Sequence, residues 1–324
     1  MRWLTQRMRD ERGATAVLVG ILIIPLLGFA AISVDVGALY SERAQLQNGA
    51  DAAALAIAQE CAEDKKCDAP SALAATFANA NSNDGSSNVL TPTFPNATTV
   101  IVSTSTRDGA TGASALSHPF AQFIGMNSST VRASATAEWG SPQQSSVLPL
   151  AISYCDFAAA ANNPGTRVLI RYDTNKACKG PSGSPIPGGF GWLDRGGKTC
   201  QTTVDLANNR VQSEAGNSYP GSCDSVMATL DETTIVIPIY NGAQSATGTP
   251  KWYNLYGFAA FHITGWKFSG GSSMPTVTND PSAPKCVGAC RGIQGYFTEW
   301  VDLTNQGGPL GGPNLGVSIV RLID

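Results

Sequence analysis

Charged residues and histidine are both scarce in this chain of 324 residues. Charged side chains make up 14% of it, and the two histidines are His118 and His262. The net charge is −3, and residues 1–12, with four arginines and two acidic residues, contribute +2, which leaves −5 for the rest. A chain with this balance is not expected to bind nucleic acid. So few histidines also count against a zinc site.

Motifs of hydrolases and nucleotide-binding proteins are missing as well. Neither Gly-x-Ser-x-Gly nor His-Glu-x-x-His occurs. Residues 191–197 resemble a phosphate-binding loop, but five residues separate Gly191 from Gly197, the glycine before Lys198, where the motif has four. Ser282 and Lys285 have the Ser-x-x-Lys spacing, but Pro284 prevents the helix that would bring the lysine onto the serine. We therefore expect no catalytic residues, no metal site and no cofactor, and the protein is not expected to be an enzyme.

An uncharged run at residues 14–34 predicts a helix that crosses a lipid bilayer. Its 21 residues would make a helix about 31 Å long, which matches a hydrocarbon core of about 30 Å. Pro25 is tolerated in membrane helices. A cleaved signal peptide is the alternative, but its apolar core is shorter, and this run continues into a second helical pattern. We therefore favour an uncleaved single-pass anchor.

The residues on either side of this run predict its orientation. Arg2, Arg7, Arg9 and Arg12 precede it, whereas the first basic residue after it is Arg43. Because basic flanks stay in the cytoplasm, residues 1–12 should form a cytoplasmic tail and the rest should be extracytoplasmic. The expected location is the cell membrane.

The stretch after the apolar run has helical periodicity. One stripe is formed by apolar residues spaced seven, four, three and four apart, which are Leu39, Leu46, Ala50, Ala53 and Ile57. Its high alanine content suits close helix packing. Two partners for this packing stripe remain open: the chain's own ectodomain, or other proteins, including self-association through copies of the helix.

These N-terminal residues resemble a known family. The order runs from Arg12-Gly13 through Pro25 to Val34-Asp35-Val36-Gly37, then to Leu46-Gln47-Asn48 and Ala50-Asp51-Ala52-Ala53-Ala54. It resembles the N-terminal module of TadG-like (TadE/TadG-type) proteins of Flp, or tight-adherence, pilus-assembly systems. Residues 120–125, Phe-Ala-Gln-Phe-Ile-Gly, also look like a stretch that such proteins carry after the helix. The resemblance implies a non-catalytic membrane component whose partners are other pilus-assembly proteins or pilin-like subunits.

All the cysteines follow the apolar run, and their number is even. Outside the cytoplasm such a set predicts disulfides. The pair that the spacing favours is Cys61 with Cys67, which flank a short charged turn, whereas the remaining connectivity is open. The eight candidates are Cys61, Cys67, Cys155, Cys178, Cys200, Cys223, Cys286 and Cys290.

The remainder of the chain predicts a mainly-β ectodomain, so that the whole is α+β. A small α+β region is expected at 61–140, a linker at 141–147, and a β-rich part at 148–324, after the membrane helix and its extension at 13–60. Short strands between Gly, Pro and Asn turns are expected at 147–154, 167–172, 233–240, 256–264, 295–301 and 315–323.

Two functions are compatible with these features. The first is a membrane-anchored component of a Flp/Tad-type pilus-assembly or secretion system at the bacterial cell surface, with the lipid bilayer and pilus proteins as partners. The alternative is a membrane-tethered extracellular binding or adhesion domain. An ordered helix after the membrane run favours the first, because a solitary tether needs only a flexible linker.

Overall fold

A computed structural model describes residues 12–64, 67–172, 177–197, 199–214, 219–244, 252–268, 280–298, 300–303 and 308–323. The tail expected at residues 1–12 lies outside the described residues, except for Arg12. The described residues group into two compact units. The first contains residues up to 57, together with 68–137 and the C-terminal end from 322, and the second contains 58–67 and 138–321.

The first element is one continuous helix, α1, at Arg12–Asp64, with Pro25 inside it. Its 53 residues correspond to about 80 Å. The sequence contains no helix-stop signal between the apolar run and the Ala-rich stretch, so the helix continues through both. The predicted long apolar helix with a helical extension is confirmed.

The other elements of the first unit are one helix and a small sheet. The strands β1 and β2 both pair antiparallel with β3, and β6 follows β3 in the sheet order. The short strands β4 and β5 pair with each other and enclose a 3-10 turn at Ala121–Ile124. The bounds are α2 Pro70–Ala80, β1 Ser87–Val89, β2 Thr93–Asn96, β3 Thr99–Thr106, β4 Leu116–Ser117, β5 Ser128–Ser129 and β6 Arg132–Gly140, whose last residues belong to the second unit.

The second unit is mainly β, as the sequence predicts. Two 3-10 turns lie at Leu206–Asn208 and Gly221–Cys223. The helices and strands are β7 Gln144–Val147, β8 Leu150–Ser153, α3 Tyr154–Ala161, β9 Val168–Arg171, β10 Ala177–Lys179, β11 Pro185–Pro187, β12 Phe190–Trp192, β13 Thr202–Asp205, β14 Arg210–Gln212, α4 Asp224–Met227, β15 Thr233–Gln244, β16 Trp252–Lys267, β17 Gly292–Phe297, β18 Val301–Asp302 and β19 Val317–Ile323.

A seven-stranded sheet organises this unit. Its order is β12-β8-β15-β16-β17-β9, and β14 also pairs with β16. The antiparallel pair β15–β16 forms the centre, and β8 joins β15 in parallel. Both faces of β16 are covered: Phe261 and Ile263 lie in one apolar cluster, and Leu255 and Phe258 in another. Most of its aromatic side chains are therefore core residues.

The structure differs from the expected strand at 147–154. Here β7 ends at Val147, β8 covers Leu150–Ser153, and α3 begins at Tyr154. Pro149 lacks the N–H that a continuous ladder needs, and the Ser153 hydroxyl accepts a hydrogen bond from the Cys155 N–H at 3.1 Å, which caps the helix. The expected linker at 141–147 also contains strand β7, which pairs antiparallel with β13.

Four disulfides use all eight cysteines. The pairs are Cys61–Cys67, Cys155–Cys178, Cys200–Cys223 and Cys286–Cys290. The predicted disulfide-containing ectodomain is thus confirmed, and Cys286 and Cys290, the closest-spaced pair, are joined to each other rather than held apart as metal ligands.

Candidate functional site at the C-terminal end of the apolar run

The apolar part of α1 is not covered by the chain itself. The helix is long and apolar enough to cross a membrane, and none of its most apolar stretch is buried. Exposed large apolar side chains lie on all sides of the helix. They are Val17, Leu18, Val19, Ile21, Leu22, Ile23, Ile24, Leu26, Leu27, Phe29, Ile32 and Val34. A helix that is apolar all round and uncovered by protein is suited to lipid.

Asp35 ends this apolar run and has a defined structural role. Its side chain is only 4% exposed. One carboxylate oxygen, Oδ2, accepts hydrogen bonds from the backbone N–H groups of Phe120, at 3.1 Å, and Ala121, at 2.5 Å. A buried carboxylate needs such donors, because water no longer solvates it. Asp35 therefore attaches the C-terminal end of the apolar run to a turn 85 residues later in the chain.

Residues 120–126, which we call the apolar turn, are held in shape by their own hydrogen bonds. The N–H of Met126 donates to the Ala121 carbonyl, and the N–H of Gly125 donates to the Gln122 carbonyl, both at 3.0 Å. Gly125 has φ of 90°, a left-handed conformation that glycine adopts without strain. The sequence predicts one helical turn with a glycine stop here, and the structure has a 3-10 turn in that position.

His118 supports the apolar turn from inside the first unit. Its side chain is buried, and Nε2 lies 2.8 Å from the Ser129 hydroxyl. Its backbone N–H donates to the Asn127 carbonyl at 2.9 Å. The histidine thus joins the two ends of the loop that carries the apolar turn.

The packing stripe of α1 is buried in the first unit. Leu46, Ala50, Ala53 and Ile57 have almost no exposed surface, whereas Leu39 is half-buried. The Thr104 hydroxyl on β3 donates to the Leu46 carbonyl at 3.0 Å. The stripe is therefore buried within its own chain, and at Leu46 it lies against β3.

Gly49 is a packing residue that the stripe pattern does not identify. A Cβ atom at this position would lie 3.1 Å from the Ala78 Cα on α2. Such close approach of two helix backbones needs a residue without a side chain. The signal in the sequence is a glycine in the middle of an otherwise strong helical pattern.

Polar contacts flank the packing stripe. The Gln47 amide donates to the Ser134 carbonyl at 3.2 Å and to Asp51 at 2.8 Å. Burial raises the pKa of the Glu42 carboxyl, the hydrogen bond from Thr106 lowers it, and the nearby Asp84 carboxylate raises it, with a net upward shift. These side chains attach α1 to the other elements of the first unit. Their arrangement is not that of a catalytic site.

An open cleft with aromatic walls lies among the described residues of the second unit. It has a volume of about 440 Å³. Tyr296 in its wall stacks on His262, with ring centroids 4.8 Å apart, and the Arg167 guanidinium lies 5.3 Å from the same ring. His262 also contacts Thr234 and Glu232 at 2.9 and 3.2 Å, so it is satisfied within the protein. The residues lining the cleft are Glu63, Pro164, Gly165, Tyr296, Phe297, Thr298 and Trp300.

The match to a protein family falls on the helix that carries this geometry. Residues 13–60 match the family described as putative Flp pilus-assembly TadE/G-like. The N-terminal segment is a Tad module. Neither the comparison with curated proteins nor the comparison with solved structures gave a match.

The Tad module contains both the apolar run and the packing stripe of α1. It includes the apolar run and Asp35, and all five residues of the packing stripe from Leu39 to Ile57. It covers 48 of the 324 residues, so the family match gives no information on residues 61–324. The Tad family indicates involvement in Flp/Tad pilus assembly.

Proposed function

We propose that this protein is a membrane-anchored, non-catalytic component of a Flp/Tad-type pilus-assembly or secretion system at the cell surface. The observation that carries the proposal is the Tad module itself, in which an uncovered apolar helix continues into a folded unit and is attached to it through Asp35. Such a rigid connection transmits position from the membrane to the ectodomain, which a flexible tether does not.

The proposed orientation is single-pass, with a cytoplasmic N-terminus and an extracytoplasmic C-terminal part. Four arginines before the apolar run support it, as do the four disulfides after it, because disulfides persist in oxidising compartments. Protease added to cells with permeable walls should digest the ectodomain and spare an epitope fused to the N-terminus. An ectodomain that stays intact until the cells are lysed would contradict this orientation.

The proposed role is tested by deleting the gene in cells that display Flp pili. The deletion strain should lose pili from its surface, and the full chain should restore them. A full chain with the substitution Ala53→Glu is the loss-of-function variant. It should be inserted in the membrane but fail to restore pili, because the charge would be buried in the first unit without a partner. Normal numbers of pili in the deletion strain would refute the role.

The alternative is a membrane-tethered binding or adhesion domain, and the cleft of the second unit is the observation that favours it. Open aromatic-walled clefts are common ligand sites. The same deletion strain separates the two functions. If it keeps its pili but attaches less to surfaces or cells, the binding domain becomes the better account.

A further inference from the structure

The apolar turn exposes an unusual amount of apolar surface. Of the eleven exposed large apolar side chains that the described part of the chain has after Tyr40, four lie in residues 120–126. The exposed fractions are 42% for Phe120, 84% for Phe123, 65% for Ile124 and 58% for Met126. A cluster of this kind marks a surface that is covered in the working state.

The position of the apolar turn identifies what covers it. Asp35, the first charged residue after the apolar run, accepts hydrogen bonds from the N–H groups of Phe120 and Ala121. The turn therefore lies beside α1 at the level where the run ends. With residues 14–34 in the hydrocarbon, Phe123, two residues beyond Ala121, is at most about 7 Å along the chain from that level.

The chemistry of the apolar turn also suits lipid. No charged residue occurs between Asp108 and Arg132. Six of the seven N–H groups in residues 120–126 donate to a carbonyl or to Asp35, as required where water is scarce. Phenylalanine and other large apolar side chains are the residues with which interfacial segments enter the boundary between headgroups and acyl chains.

We propose that the apolar turn inserts Phe123, Ile124 and Met126 into the outer leaflet of the same bilayer that α1 crosses. The first unit then contacts the membrane at two places, the helix and the turn, which fixes its height and its rotation about the helix axis. The inference rests on the proposed membrane anchoring of α1 and adds a second contact that anchoring alone does not require.

The test uses the full chain reconstituted in phosphatidylcholine vesicles. Because all eight cysteines are in disulfides, a Phe123→Cys variant can be labelled at one site with an environment-sensitive fluorophore. Ile124→Cys and Met126→Cys are parallel variants if Phe123→Cys folds poorly. The matched control is Ala97→Cys, an exposed position of the same unit.

The control position lies farther from the bilayer. Thr106 contacts Glu42 and Thr104 contacts Leu46, so β3 runs towards the membrane in the direction of increasing residue number. Ala97 precedes Thr104 by seven residues, or about 20 Å along an extended chain.

The expected result is a blue-shifted emission at residue 123 that nitroxide lipids quench severalfold more than they quench the label at residue 97. Equal quenching of the two labels in vesicle-bound protein would overturn the apolar turn as a lipid contact and leave the anchor intact. A label at 123 that is shielded from aqueous iodide but not quenched by nitroxide lipids would also overturn it, in favour of a contact with another copy of the chain. A chain that does not float with the vesicles would contradict the anchor and the turn together.

Discussion

Asp35 is the residue whose chemistry the account depends on most. It is the only acceptor that the described residues offer to the N–H groups of Phe120 and Ala121. Asp35→Ala would leave these two donors without a partner, and at the buried Ala121 N–H this costs about 1–3 kcal/mol. Asp35→Asn keeps a neutral acceptor oxygen and should cost less.

The measurement is hydrogen exchange at the Phe120 and Ala121 amides in the full chain. Each loss of about 1.4 kcal/mol in local stability should speed exchange about tenfold, so Asp35→Ala should exchange at least several times faster than the parent chain, with Asp35→Asn between them. Unchanged exchange in Asp35→Ala would mean that the turn does not depend on this carboxylate.

A second residue, Asp280, gives a pH-dependent prediction for the second unit. Burial raises the pKa of its carboxyl, but hydrogen bonds from Thr264, the Ser282 N–H and Arg167 together hold the pKa below the usual 3.8. The contacts measure 2.7, 2.8 and 2.5 Å. A pKa lower in the folded than in the unfolded state gives stability that is present above pH 3.8 and is lost as the pH falls.

Asp280→Asn should therefore lower the unfolding midpoint most at neutral pH, and the difference from the parent chain should shrink as the pH falls below the usual carboxyl value. Thermal unfolding of both chains across this pH range provides the comparison, since other carboxylates titrate in both. A difference that is the same at every pH would show that the carboxylate charge contributes nothing.

At the scale of elements, the contact between α1 and α2 depends on Gly49. A Cβ there would meet the Ala78 Cα at 3.1 Å and the Ala78 carbonyl oxygen at 3.2 Å, and both are backbone atoms. Gly49→Leu should therefore destabilise the first unit by about 1–3 kcal/mol through overpacking. Gly37→Leu is the matched control on the same helix, because no heavy atom lies within 4 Å of a Cβ at that position.

Removing a helical glycine where space is free gains up to about 1 kcal/mol, so the two leucine variants should change the midpoint of unfolding in opposite directions. Circular dichroism of the two full chains in detergent would measure this. Destabilisation of the same size at both positions would show that the effect is one of the helix and not of its contact with α2.

The helix α1 shows which part of the packing can be predicted from the sequence. The spacing of Leu46, Ala50, Ala53 and Ile57 identifies the buried face of α1, because burial follows the helical period. That period cannot name the partner, which is a later part of the same chain. Gly49 lies outside the pattern, since the reason for its small size is on α2.

Other features that the sequence does not predict have local physical causes. The strand expected at 147–154 overlaps helix α3 only at Tyr154, and the sequence analysis does not predict the helix itself, because its cap at Ser153 follows directly on β-prone residues. Strand β7 has the polar sequence Gln-Ser-Ser-Val, so alternation of apolar residues could not indicate it, although Ser145 and Val147 are buried. The solvent exposure of the Phe123 side chain could not be predicted either, because a short apolar turn has no periodicity.

At the scale of the whole molecule, disulfides stabilise the second unit. Each cysteine pairs with the next along the chain, and two of the loops span 23 residues. By chain entropy each of these two contributes about 3 kcal/mol. Sequence alone leaves the pairing open, since eight cysteines can pair in 105 ways, and proximity in the fold selects one.

A thiol titration tests this arrangement together with the proposed location. Protein purified from cells and denatured without reductant should contain almost no reactive thiols, whereas reduction should release all eight. Four or more free thiols before reduction would be inconsistent with an oxidising compartment and with the disulfides.

The central claim is that the Tad module contacts the pilus-assembly apparatus from the membrane. Its most direct test is a photoreactive amino acid in place of Tyr40, which is 72% exposed on α1 just beyond the apolar run. In living cells that display Flp pili, illumination should link this position to pilus-assembly proteins or pilin-like subunits, identified by mass spectrometry, while the same group at Ala97 should not. Products without any pilus protein, or the same products from both positions, would contradict the account.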